Sequence, residues 1–105
     1  MTGKLLDTVV VTRDGNEIPS SELLQNEKHY LRGEIDASNR DIYLKFSSRQ
    51  ALYDFARSLL QEAVYGMGGQ KEFYPLISDG KALVVEGARL VVGSSRIFVA
   101  YDESD

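Results

Sequence analysis

The sequence predicts a single α+β domain, in which a mostly antiparallel sheet of five to six strands packs against one long amphipathic helix. Three observations favour this fold class. Short apolar runs that alternate with polar residues, typical of half-buried strands, occur in both halves of the chain. One uninterrupted segment between them has its apolar residues at helical spacing instead. A length of 105 residues suits one hydrophobic core and one domain.

The chain begins with a predicted strand and a short helical turn. Asp7–Arg13 is the strand, because its centre is rich in β-branched residues and because Asp14-Gly15-Asn16 then has the composition of a turn. Pro19–Leu24 is expected to form one helical turn, since proline and serine suit a helix start.

A β-hairpin is predicted next. Lys28–Asp36 alternates, so that His29 and the following odd-numbered residues point to one face and the even-numbered residues to the other. The polar loop Ala37–Asp41 joins this strand to Ile42–Phe46, in which the alternation resumes. Two such runs joined by a short polar loop are typical of an antiparallel hairpin.

The long helix is predicted from Ser48 to Tyr65. Ser47 is the expected N-cap, with Gln50 completing a capping box, and Gly66 is the expected left-handed terminator. The apolar face expected to contact the sheet consists of Leu52, Phe55, Ala56, Leu59, Leu60 and Ala63. The opposite face, expected in solvent, consists of Asp54, Arg57, Ser58, Gln61 and Glu62.

The second half of the chain is predicted to be strands. Glu72–Ile77 is followed by a hairpin turn at Ser78–Lys81. Ala82–Val92 fits either one long strand with a bulge near Gly87 or two short strands that turn there. A turn over residues 93–95 leads into the last strand, Arg96–Tyr101.

The predicted order is therefore β-β-β-α-β-β, with a sixth strand if residues 82–92 are divided. Sequential strands joined by short turns favour antiparallel pairing. The domain is expected to span residues 1–101, and residues 102–105 to form an acidic, frayed tail.

Charge and composition exclude several classes of partner. The net charge is −4, but three of the 16 acidic residues lie in the tail, so residues 1–101 hold 12 basic and 13 acidic residues. A nearly neutral body lacks the basic surface of a nucleic-acid-binding protein, and no direct nucleic-acid partner is expected. The chain has no cysteine, and no apolar run has the length of a secretory signal or a membrane span. We therefore expect a cytoplasmic protein with no membrane partner.

No catalytic motif is recognisable. His29 is the only histidine and is expected to have a structural position, because one imidazole cannot build the usual catalytic zinc site. The glycines of residues 66–69 follow a helix, whereas a phosphate-binding loop precedes one. We expect no catalytic residue, no bound metal and no cofactor.

A carboxylate-dependent enzyme is the weaker alternative. Glu34 and Asp36 share a strand face with Asp41 nearby, and a carboxylic acid of raised pKa beside an ionised partner could transfer protons. The interleaved Arg32 and Lys45 favour a solvated face of mixed charge instead.

One stretch of sequence resembles a known family. The segment Ile42–Ala56 (IYLKFSSRQALYDFA), followed by Leu59-Leu60 and later by Arg89-Leu90 and Arg96-Ile97-Phe98, resembles small bacterial immunity proteins of polymorphic toxin systems. These include partners of contact-dependent inhibition toxins and of Rhs-type toxins, and the resemblance extends over residues 28–101. It implies a non-enzymatic protein that binds a cognate toxin, such as a nuclease, at or beside its active site. The nearly neutral body departs from the strongly acidic family members, which leaves the chemistry of the toxin open.

A phage or host regulatory protein that inhibits another enzyme is the main alternative. In either case the partner-binding surface is expected on the outer face of the hairpin, formed by Tyr30, Glu34, Asp36, Asp41 and Tyr43. Tyrosines are common hot spots of protein interfaces, and carboxylates could pair with lysines or arginines of the partner. The segment Met67–Tyr74 is the second expected location. Oligomeric state is left open.

Overall fold

The computed structural model describes residues 5–15 and 17–103, and this part of the chain forms an α+β domain, as predicted. Its elements are α1 (Ser21–Gln25), β1 (Leu31–Ile35), β2 (Ile42–Phe46), α2 (Arg49–Tyr65), β3 (Gln70–Phe73), β4 (Leu76–Ser78), β5 (Lys81–Val85), β6 (Ala88–Arg89) and β7 (Ile97–Ala100). Neither described helix combines the length and the apolar character needed to cross a membrane.

The strands form three small antiparallel sheets instead of the one predicted sheet. β1 pairs with β2, β3 pairs with β7, and β5 lies between β4 and β6. A single parallel bridge between Leu31 and Leu90 joins β1 to the chain that follows β6. Because each strand is at most five residues long, the sheets are too small to bury a core alone and depend on α2.

The core lies where α2 meets these sheets. It is a cluster of buried apolar side chains: Leu31, Phe55, Phe73, Ala88 and Leu90. The Phe55 ring of α2 lies 5.5 Å from the ring of Phe46 and 4.8 Å from that of Phe73, measured between centroids, and both contacts are tilted. These are favourable aromatic geometries, and they place Phe55 at the centre of the molecule.

Residues 7–13 do not form the predicted strand. Side chains of α2 hold this segment, since Gln61 Nε2 donates to the carbonyl oxygens of Thr12 and Arg13 at 2.9 and 3.1 Å. A β-branched run favours extended backbone, but a strand also needs a neighbouring strand edge, and none lies beside these residues in the described chain. The short helical turn is confirmed as α1, and the last residue of the predicted turn, Asn16, lies outside the described residues.

The long helix is confirmed, but its cap differs from the prediction. Ser48, one residue after the predicted Ser47, is the N-cap, and its Oγ accepts a hydrogen bond from the Ala51 amide at 3.1 Å. Ser47 instead bonds the hairpin, where its Oγ accepts from the Tyr30 amide at 2.7 Å. Adjacent serines are equally good caps by composition, so the contact with the hairpin decides between them.

Gly66 ends α2 without the predicted left-handed conformation, since its φ is −68°. A Cβ at this position would lie 2.5 Å from the Glu62 carbonyl oxygen. Glycine is therefore required by a close backbone approach and not by handedness.

The buried side of α2 is not the predicted apolar face. Phe55 is buried and Leu59 packs against the core, as predicted, but Leu52 is 49% exposed. Exposed with it are Ala56, Leu60, Ala63 and Val64. The buried positions include three from the predicted solvent face, namely Asp54, Arg57 and Ser58. The reason is that residues 17–20 lie against this polar side and bond to its charged groups.

In the second half, the predicted strand Glu72–Ile77 is divided at Tyr74-Pro75 into β3 and β4, which belong to different sheets. Proline lacks an amide donor, so a continuous ladder cannot pass through it. The hairpin turn Ser78–Lys81 is confirmed. Residues 82–92 follow the two-strand alternative, because β5 and β6 pair across a turn at Glu86 and Gly87.

The last strand is confirmed as β7, and two residues of the acidic tail are described beyond it. Glu103 Oε1 accepts a hydrogen bond from the Gly68 amide at 2.9 Å. Residues 104 and 105 of the expected tail lie outside the described residues.

Candidate protein-binding surface

The hairpin of β1 and β2 places the predicted surface residues on one ladder. Glu34 lies opposite Tyr43, and one step further the amide of Asp36 donates to the carbonyl oxygen of Asp41 at 2.8 Å. Residues directly opposite in an antiparallel pair share a face, so these four side chains are neighbours. Tyr30 lies at the other end of the hairpin.

Three of the five predicted residues line one open groove. Glu34, Asp36 and Tyr43 border a concavity of about 590 Å³ together with Lys45 and with a second chain segment, represented by Ser95. Tyr30 and Asp41 are exposed but do not line this groove. The structure thus brings Glu34, Asp36 and Tyr43 together and leaves the other two at its ends.

The centre of the groove is an ion pair. Lys45 Nζ lies 2.6 Å from Glu34 Oε1, and this hydrogen bond holds the pKa of Glu34 below its ordinary value. Lys45 Nζ also lies 5.8 Å from the centre of the Tyr43 ring. The pKa of Glu34 is thus shifted away from the raised value that a general acid needs.

Asp36 stabilises the hairpin loop. Its Oδ1 accepts hydrogen bonds from the hydroxyl and the amide of Ser38, at 2.6 and 2.9 Å, and the first of these contributes most to a lowered Asp36 pKa. This carboxylate is therefore ionised and held in place. A substitution here would disturb the loop as well as any partner.

The edge of β1 that faces away from β2 is covered by residues 94 and 95, a segment that sequence patterns did not connect with the hairpin. The Gly33 amide donates to Ser94 Oγ and its carbonyl oxygen accepts from the Ser95 amide, both at 2.8 Å. A Cβ on Gly33 would lie 3.2 Å from Ile97 Cδ1 and 3.3 Å from the Ser95 carbonyl oxygen, so a larger residue would force these neighbours to shift. The signal in the sequence was the glycine itself, inside an otherwise regular strand.

The other face of the hairpin is apolar and partly exposed, which the sequence did not indicate. Ile42 is 72% exposed, its opposite neighbour Ile35 is 62% exposed, and Leu44 is 41% exposed. Only Phe46 and its opposite neighbour Leu31, at the base of the hairpin, reach the core. The tip of the hairpin therefore extends beyond the core with apolar side chains in solvent.

His29 lies two residues before β1, and its position is structural, as expected. It is 4% exposed, with Nδ1 at 2.6 Å from Ser48 Oγ and Nε2 at 3.0 Å from Glu22 Oε2. The imidazole thus joins α1 to the cap of α2. Within the described residues no group of three histidine, cysteine or acidic side chains could hold a metal ion.

The second expected location is built differently. In Met67–Tyr74 the Lys71 ammonium lies 3.8 Å from Glu62 and 3.3 Å from Glu86, so its charge is balanced within the molecule. Met67 is the most exposed large apolar residue among those described. The exposed Met67 and Tyr74 of this segment do not line the hairpin groove.

Comparisons with known proteins add no information about this surface, so it is interpreted from its own contacts. A scan against protein-family models, a search of curated proteins and a search of solved structures each found no match to the chain.

Proposed function

We propose that this protein is an immunity protein that binds and neutralises a cognate protein toxin through the hairpin groove. The observation that supports this most is the pairing of exposed Tyr43 with Glu34 at the centre of a concave surface on a strand pair. Tyrosine is one of the residues enriched in interface hot spots, and a carboxylate beside it can complement a cationic group of the partner.

The groove suits a basic side chain of the partner. Glu34 and Asp36 are both ionised at neutral pH, because hydrogen bonds lower their pKa values. An incoming lysine or arginine would compete with Lys45 for Glu34, whereas Tyr43 would contribute contact area. Carboxylates placed in this way can occupy the cationic groups on which a toxin's active site depends.

Inhibition of a phage or host enzyme through the same groove is the second candidate. The neighbouring genes separate the two: a toxin domain encoded directly upstream supports immunity, and a phage operon supports the regulatory alternative. The residues of the groove are common to both candidates.

The direct test is co-expression with the toxin domain encoded next to this chain. We expect the protein to restore growth of a sensitive bacterium and to co-purify with the toxin domain. Tyr43→Ala should weaken the complex by about 30-fold or more, the effect of losing a hot spot of about 2 kcal/mol.

Tyr74→Ala is the matched control, because Tyr74 is also exposed but lies between β3 and β4. Equal effects of the two substitutions in folded proteins would place the interface elsewhere. Undiminished killing by the toxin in the presence of the wild-type protein would refute immunity altogether.

A further inference from the structure

The outer edge of β2 presents unpaired backbone groups. In an antiparallel ladder, residues bonded to the partner strand alternate with residues whose N–H and C=O groups point away. The bond from the Asp36 amide to the Asp41 carbonyl oxygen shows which positions face inward. By this alternation the backbone groups of Ile42 and Leu44 point away from β1, and no hydrogen bond from the described residues reaches them.

This edge is not protected in the usual ways. Natural sheets blunt an open edge with proline, a bulge, charged side chains, a short strand or a covering loop, and of these β2 has only its short length and Lys45 near its end. The centre of β2 is Ile42-Tyr43-Leu44, and every residue from Ile42 to Lys45 is exposed. The corresponding edge of β1 is covered by residues 91–95. The open edge therefore belongs to β2 alone within this hairpin.

The sequence of β2 is complementary to itself when the strand is reversed. If two copies are antiparallel with Tyr43 at the centre, Ile42 lies opposite Leu44 of the partner subunit, and Asp41 lies opposite Lys45 of the partner subunit. In the first pair, the outward-pointing N–H and C=O groups of the two residues can form hydrogen bonds with each other. The second pair brings opposite charges together, which stabilises cross-strand neighbours. A register centred on Leu44 has no such charge pair.

We propose that a second copy of this chain pairs with β2 along this edge, so that the two hairpins form a continuous four-stranded antiparallel sheet. The contact is two-fold symmetric, because the unpaired N–H and C=O groups of each β2 edge bond to those of the other. It is independent of the proposed toxin binding. One consequence is that the groove residues Glu34 and Tyr43 of both copies share one sheet face.

A single cysteine tests the register directly, because the natural chain has none. Residue 43 would face its own copy as a non-hydrogen-bonded pair, with Cα atoms about 4.5 Å apart, within reach of a disulfide. Under mild oxidation, Tyr43→Cys should give a disulfide-linked dimer in high yield, and the exposed control Tyr74→Cys should not. Faster cross-linking of Leu44→Cys would contradict the proposed register, and equal yields at residues 43 and 74 would contradict the contact.

Charge exchange tests the same contact without a cross-link. In sedimentation experiments over micromolar to millimolar concentrations, Asp41→Lys and Lys45→Glu should each weaken self-association about tenfold, because both charge pairs become repulsive. An equal mixture of the two variants should restore it, since each new charge then meets its opposite.

Ile42→Pro provides a backbone test. It removes an outward-facing donor at the first position of the strand while leaving the bonds to β1. We expect a folded monomer, with folding checked by circular dichroism. A wild-type protein that stays monomeric throughout overturns the proposal. A dimer broken by Leu60→Glu on the exposed side of α2 but not by Ile42→Pro would assign the contact to that helix.

Discussion

At the scale of single residues, the buried charges of this protein hold segments together that share no sheet. Asp54 is fully buried and accepts hydrogen bonds from the amide and the hydroxyl of Ser20, at 2.7 and 2.9 Å, and from Gln50 and Arg57. Arg89 is buried as well, and its guanidinium donates to four backbone carbonyl oxygens. Burial of this cation lowers the pKa of Arg89.

Replacing Asp54 by alanine should destabilise the protein strongly. The substitution breaks the buried ion pair with Arg57, which keeps only Glu17 as a polar partner, and removes the acceptor of the half-buried Ser20 donors. Removing one partner of a buried pair costs about 3–5 kcal/mol. The free energy of unfolding from urea titrations measures this loss. Asp7→Ala is the control, because Asp7 is exposed and forms no hydrogen bond seen among the described residues. Similar small losses for both variants would show that the Asp54 contacts do not stabilise the fold.

The contact between Glu22 and His29 predicts a pH dependence. Hydrogen bonds, first from His29 and then from Asn26, hold the pKa of Glu22 below its ordinary value of 4.5. A carboxyl with a lowered folded-state pKa contributes stability that is present above the ordinary value and is lost as the pH falls through the folded-state value. The contribution of Glu22 should therefore disappear on the acid side.

The measurement is the free energy of unfolding at neutral pH and at about pH 3. Glu22→Gln should be less stable than wild type at neutral pH, and the two proteins should converge in acid. Asp7→Asn should follow the wild-type profile throughout. A constant difference between Glu22→Gln and wild type at both pH values would rule out the linkage.

At the scale of elements, α2 shows that an amphipathic pattern indicates a helix without deciding its orientation. Its apolar side was expected inside, but only the margin of that side, at Phe55 and Leu59, reaches the core. The polar side is covered by residues 17–20, which form hydrogen bonds with the buried Asp54 and Arg57. Exposed apolar positions of α2 consequently remain on the other side: Leu52, Ala56, Leu60, Ala63 and Val64.

Two alanine substitutions distinguish the observed orientation from the expected one. Phe55→Ala removes the ring at the centre of the core and should cost about 3–5 kcal/mol of unfolding free energy. Leu52→Ala should cost far less, because this side chain is about half exposed. Chemical denaturation of both variants is the measurement. Comparable large losses would mean that Leu52 packs inside and that the expected orientation was right.

At the scale of the whole molecule, one helix, α2, packs against three small sheets. Phe46, Phe73 and Ala88 come from three different sheets and meet in the cluster around Phe55. In the described chain no further strand pairs with β2 beyond β1, so the groove face and the open edge of β2 are both accessible.

Features that depend on neighbours along the chain could be predicted from the sequence. These are the α+β class, the hairpin with its loop, the extent of the long helix, the turn at residues 78–81 and the inward position of His29. Alternation and turn composition act over a few residues, so a pattern is enough to predict these features. The pairing of Glu34 with Tyr43 followed from the same hairpin register.

Which surfaces meet depends on contacts between residues that are distant in sequence. Residues 7–13 have no strand edge beside them in the described chain, and residues 17–20 cover the polar side of α2. The chain around Ser94 covers one edge of the hairpin but not the other. These outcomes depend on residues distant in sequence, because burial and strand pairing require a partner surface that no local pattern specifies. For the same reason, no local pattern indicated that Ser95 would border the groove or that β2 would keep an open edge.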